Sequence, residues 1–196
     1  VGAQFLPAFN NTIGYEGIYS CDPTDAGGET VYGLCRRDDS KWAGWARVDH
    51  WKTQPIFPSN MKGDEILLNL AQEYFKNNYW SQIHGDDISN QDIANLMFDI
   101  AVNQGDGNAL EWLKKTLDSL SLGQKGVLYP ALSLNNGVVT SAIIDTLNIY
   151  LQTEDPWFVL ISLRAWRLVG HESIALADPN DLDDTRGWIN RDFLRP

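Results

Sequence analysis

Apolar residues recur at three- to four-residue spacing through most of this chain, and that period constrains its fold more than any other feature. Ile66, Leu67, Leu70, Ala71, Tyr74 and Phe75 form one stripe from about Asp64 to Trp80. Ile93, Leu96, Met97, Ile100 and Ala101 form another, which stops before Gly105. It is opened by Ser89-Asn90-Gln91-Asp92, which resembles a capping box with Asp in the Glu position. Leu110, Leu113, Leu117 and Leu120 predict a further helix, Thr140 predicts the cap of one running to about Leu151, and Asp155-Pro156 predicts the start of one ending near Gly170. Near the start, Phe5, Ala8, Phe9 and Ile13 predict a short helix closed by Gly14. A chain patterned this way is mainly α.

Strand chemistry is confined to one place. Tyr19 to Leu34 is rich in Asp, Gly and Thr around Asp22-Pro23-Thr24-Asp25-Ala26-Gly27-Gly28, then turns β-prone at Thr30-Val31-Tyr32, which predicts a small β-hairpin or extended loop near the N-terminus. Lys41 to Pro58 holds three of the eight tryptophans without a clean period and is broken by Pro55 and Pro58, so it reads as irregular with short helical turns. Gly105-Asp106-Gly107 has turn chemistry and marks a seam between a first domain, residues 1–106, and a purely helical second one, residues 107–196.

Length and charge remove several classes of function. At 196 residues the chain holds one or two compact domains, and its apolar stretches are too short and too interrupted to span a bilayer. With 15 Lys and Arg against 26 Asp and Glu, a formal net charge of −11 and no basic cluster, binding to a nucleic-acid backbone is disfavoured. No secretory signal is visible in Val1-Gly2-Ala3-Gln4-Phe5, which leaves localisation open, and oligomeric state is not legible. His50, His84 and His171 lack metal-ligand spacing, so neither a metal nor a cofactor is expected. Cys21 and Cys35 bracket the hairpin, which predicts either a disulfide pinning it or two free thiols.

Glu16 follows the first short helix and precedes the Asp-, Gly- and Thr-rich segment, a layout glycoside hydrolysis can use. That chemistry needs a carboxylic acid that stays protonated to donate to the leaving oxygen, and a second polar group across the sugar. A helix C-terminus and the neighbouring Tyr15, Ile18 and Tyr19 both favour a raised carboxyl pKa. The hairpin offers Asp25, Asp22 and Glu29 as partner carboxylates, with Thr30 beside them.

These residues resemble glycoside hydrolase family 108, bacterial N-acetylmuramidases once labelled secretion activator proteins. The resemblance lies in Tyr15-Glu16-Gly17-Ile18-Tyr19, in Asp22 to Thr30, and in Tyr32-Gly33. It continues through Tyr79-Trp80 with Ile83 and through Phe98-Asp99-Ile100-Ala101-Val102-Asn103-Gln104-Gly105. Gly187-Trp188-Ile189-Asn190-Arg191 is similar to the close of the predicted peptidoglycan-binding domain that follows. Where the family usually has a second glycine this chain has Ile18, which stiffens the turn after Glu16.

The resemblance implies a mainly α, lysozyme-like fold and an enzyme acting on peptidoglycan glycan strands at the cell wall or in the periplasm. It implies Glu16 as catalytic acid, with Asp25 and Thr30 as the expected hairpin partners and Asp22 as the next carboxylate. Tyr32 and Trp80 are the expected sugar-stacking aromatics, although aromatics at helical spacing more often serve the core. Arg164, Arg167 and Arg191 read as solvated or structural pairs. A noncatalytic wall-binding or secretion-assisting protein on the same fold is the alternative.

Overall fold

The computed structural model describes residues 2–13, 18–21, 28–122 and 140–177. They divide into two compact units, Phe5–Asn78 and a second made of residues 2–4 with those from Tyr79 onward.

The first unit opens with α1 (Phe5–Ile13), which buries Phe5, Ala8, Phe9 and Ile13 along one stripe. A three-stranded antiparallel sheet follows, of β1 (Tyr19–Cys21), β2 (Glu29–Val31) and β3 (Leu34–Cys35), with β2 in the centre. Val31 pairs with Leu34 across the two-residue turn Tyr32-Gly33, and both turn residues have positive φ, 50° and 81°, as a type I′ hairpin turn requires. The expected hairpin is therefore extended by a third short strand.

That sheet order decides the cysteine question. Cys21 lies on β1 opposite Glu29, and Cys35 lies on β3 opposite Thr30, so the central strand stands between them. Two interstrand spacings amount to roughly 9–10 Å, beyond the roughly 7 Å limit for a disulfide. The two cysteines form no disulfide. The disulfide alternative presumed a two-stranded hairpin, with no strand to keep the cysteines apart.

A second correction falls between Lys41 and Pro58, where the structure has a regular helix, α2 (Gly44–Lys52). Its buried face is only Gly44, Trp45 and Val48, too narrow a stripe to register as a period. Trp45 meets Trp42 edge to face at 5.1 Å and donates its Nε1–H to the Asp39 carbonyl at 2.8 Å. α3 (Glu65–Phe75) follows the expected stripe, burying Leu67, Ala71 and Phe75, and passes into a π turn over Lys76–Trp80.

The second unit is helical: α4 (Gln91–Gln104), α5 (Asp106–Leu122), α6 (Thr140–Tyr150) and α7 (Pro156–Ala177). α4, α5 and α7 pack against one another and α6 packs on α5. The cap of α4 is Asn90, one residue after the expected Ser89: its side chain accepts the Ile93 N–H at 3.0 Å. α7 runs through Gly170 to Ala177 instead of stopping there, because Gly170 lies against α5. A Cβ at that position would come within 2.6 Å of the Trp112 ring. No described helix is long and apolar enough to cross a membrane.

Candidate functional site

The sheet is held to α2 by a charge network. Glu29 on β2 is nearly buried, with its side chain 10% exposed, and pairs with Arg36 at 2.5 Å and with Lys52 at the end of α2. Arg36 also holds both carboxylate oxygens of Asp49, at 2.6 and 3.1 Å, while its guanidinium sits 4.4 Å above the Trp45 ring. Burial, and after it the nearby Glu29 carboxylate, push the Tyr19 phenol well above its ordinary value. Tyr19 in turn meets Phe57 edge to face at 4.7 Å. Glu29 is thus committed to two cations.

Asp64 forms a second anchor. Its Oδ1 accepts the backbone N–H groups of Ile66 and Leu67, each at 3.1 Å, capping α3. Its Oδ2 accepts the Trp51 indole N–H at 2.5 Å and pairs with the Arg47 guanidinium, so α2 and α3 meet on one buried carboxylate. Burial alone would raise that carboxyl; the bonds from Arg47, Trp51 and Leu67 outweigh it and hold the group below its usual range. Tyr32, half-buried in the turn after β2, has its phenol raised by burial and by the Asp64 charge.

Of the predicted site residues, Glu16, Asp25 and the alternative Asp22 lie outside the described residues. Glu16 follows the last residue of α1 by three positions and precedes β1 by three. Thr30 is half-buried in the centre of β2, paired with Ser20 and Cys35. Tyr32 holds the sharp turn at φ 50°.

Trp80 is corrected: it is fully buried, donates its Nε1–H to Asp86 at 2.8 Å and meets the Phe98 ring edge to face at 5.9 Å. Gly85 lies against its face, where a Cβ would come within 2.3 Å. Its ring is core, out of reach of a sugar. Arg167 is a structural pair, buried on α7 with Asp99 of α4.

Sequence reading missed a cleft of about 500 Å³ in the first unit, between the segment after β3 and the outer face of α3. Asp39 organises it: one carboxylate oxygen accepts the Tyr74 hydroxyl at 2.6 Å and the other the Cys35 backbone N–H at 3.2 Å. Trp42 lies buried beneath, its Nε1–H on the Leu70 carbonyl at 3.2 Å. The only signal in the sequence was the Asp38-Asp39-Ser40 run, which also reads as turn chemistry. Among the described residues no group of three or more His, Cys, Asp or Glu side chains is arranged to hold a metal ion.

Residues 9–105 match the family model described as Glycosyl hydrolase 108. The chain is similar in fold to the solved structure described as Structure of Brucella abortus SagA, with a TM-score of 0.58 at 20% sequence identity. The match covers 96% of this chain and 88% of that one. No curated protein sequence matches the chain. The fold is lysozyme-like: mainly helical, with one small antiparallel sheet near the N-terminus.

Proposed function

We propose that the chain, which belongs to the glycosyl hydrolase 108 family through residues 9–105, is an N-acetylmuramidase. Its substrate is peptidoglycan and its target the β-1,4 bond between N-acetylmuramic acid and N-acetylglucosamine. The observation that carries this reading is the extent of the family match, which takes in the last five residues of α1, Glu16, the sheet and all of α4. It ends at Gly105, next to the proposed boundary between a catalytic domain of residues 1–106 and a peptidoglycan-binding domain of residues 107–196.

In this mechanism Glu16 protonates the glycosidic oxygen as the bond breaks. Positive charge develops on the sugar ring, and a fixed carboxylate lowers the barrier by facing it. Asp25 is the first choice for that group and Asp22 the second. The ion pairs of Glu29 with Arg36 and Lys52 support leaving it out, because a carboxylate already neutralised by two cations stabilises a further cation poorly. Thr30 assists from the central strand, and Tyr32 contacts substrate from the adjoining turn. Asp22 precedes Pro23, which biases it to an extended turn-forming role, whereas Asp25 precedes the glycines.

A zymogram on peptidoglycan with Glu16→Gln tests the reading. The expected result is a lytic zone for the parent and a loss of about a hundredfold or more in the variant, since Gln keeps the shape and cannot supply a proton. Asp25→Asn should lower lysis more than wall pulldown, and more than Asp22→Asn does. Wall pulldown without any lysis by the parent would instead identify a noncatalytic wall binder.

A further inference from the structure

We infer that the cleft between the segment after β3 and the outer face of α3 is a second glycan-binding site, one that holds N-acetylglucosamine-type sugar units away from the bond being cut. The inference takes its choice of glycan from the muramidase reading.

The cleft has the size and the lining of a sugar site. About 500 Å³ falls within the range of small-molecule sites, and Leu70 and Tyr74, backed by the buried Trp42, give the cleft an apolar wall for the C–H face of a sugar ring. Its rim mixes donors with acceptors. Ser40 offers a hydroxyl, Lys41 three donors, Glu73 acceptors, and Asn77 and Asn78 amides. A sugar hydroxyl both donates and accepts, so a rim of both kinds suits a polyol; an anion would call for donors alone and a cation for acceptors alone.

Asp38 is paired with Arg37 at 2.9 Å, and Asp39 is occupied by Tyr74 and Cys35. The side chains of Ser40, Lys41 and Glu73 have no hydrogen bond or ion pair among the described residues, so they can meet a ligand without giving up a contact. With Asp38 paired to Arg37, the two remaining carboxylates, Asp39 and Glu73, against one ammonium also disfavour the lactyl carboxylate of muramic acid, which selects the N-acetylglucosamine unit. Asp39 joins the cleft to the last strand of the sheet through the Cys35 N–H, so a bound sugar rests on the same framework as Thr30 and Tyr32.

The test is calorimetric titration of the full chain with a β-1,4-linked N-acetylglucosamine tetramer, which carries neither peptide nor lactyl group. The parent and Glu16→Gln should bind with the same Kd, and Ser40→Ala/Glu73→Ala should bind about tenfold or more weakly. Both substituted side chains are exposed and unpaired, so circular dichroism should show an unchanged fold. Absence of binding by the parent, equal affinity in the double variant, or loss of binding in Glu16→Gln would each overturn the assignment. Preference for a lysine-containing stem peptide over the tetramer would overturn it in favour of an ammonium site. Glu73-dependent binding by a parent that gives no lytic zone would support the cleft while ending the muramidase reading, so the two ideas fail separately.

Discussion

Asp64 serves four donors with two oxygens: two backbone N–H groups that open α3, an indole and a guanidinium from α2. Its side chain is 2% exposed, whereas that of Arg47 is 33% exposed, so the ion pair is partly screened and the carboxylate is the critical member. Its carboxyl pKa is depressed, so the stability it contributes is fully present above the ordinary carboxylate range and is lost as pH falls through the folded value. Asp64→Asn should therefore cost about 2 kcal/mol at pH 7, with the gap from the parent closing below about pH 4. Urea unfolding at both pH values checks this; a gap independent of pH would show that shape, not charge, is responsible. In sequence, Asp64 was readable only as the start of a stripe, because Trp51 and Arg47 reach it from a helix that carries no clear period. The same is true of Asp39, whose partner Tyr74 reaches it from α3, 35 positions along the chain. The family was legible through the motifs around Glu16 and the hairpin, whereas the burial of Trp80 was not, since an aromatic at helical spacing looks the same in a core and in a groove.

At the scale of elements, periodicity works where a buried face is wide and fails where it is narrow. α1, α3, α4 and α5 each bury three or more apolar side chains at helical spacing and were visible; α2 buries one glycine, one tryptophan and one valine and was not. Gly170 illustrates a different failure. A glycine near a helix end signals termination through its freedom at positive φ, but here it serves close packing inside α7, against Trp112 and beside Gln104, which bonds the Arg167 carbonyl at 3.3 Å. Gly170→Ala should gain about 1 kcal/mol in helix propensity and lose more to the clash, because the indole is 8% exposed and has little room to shift. A net destabilisation of about 1–2 kcal/mol is expected, read as a lower midpoint in thermal unfolding; a higher midpoint would mean that α5 gives way at no cost.

Across the whole molecule the deciding quantity is a formal net charge of −11. Arg36, Arg37, Arg47, Lys52, Lys114, Lys115 and Arg167 are each paired with a carboxylate of the same chain. Cations neutralised in place do not make an adhesive basic face, so the long-range field toward an anionic wall is repulsive. At about 0.01 M ionic strength that repulsion reaches roughly 30 Å, and at about 0.15 M it is cut to roughly 8 Å. An enzyme drawn to the wall by charge would lose activity over that interval, since salt screens attraction as well. Here the opposite sign follows: lysis of whole peptidoglycan should rise several-fold between the two salt concentrations, while hydrolysis of a short uncharged oligosaccharide stays nearly level because no polymer field opposes its approach. Turbidity loss and reducing-end release, measured side by side across the salt series, separate the two terms. A fall in wall lysis with salt would place a basic wall-facing surface on the chain and overturn the repulsion argument.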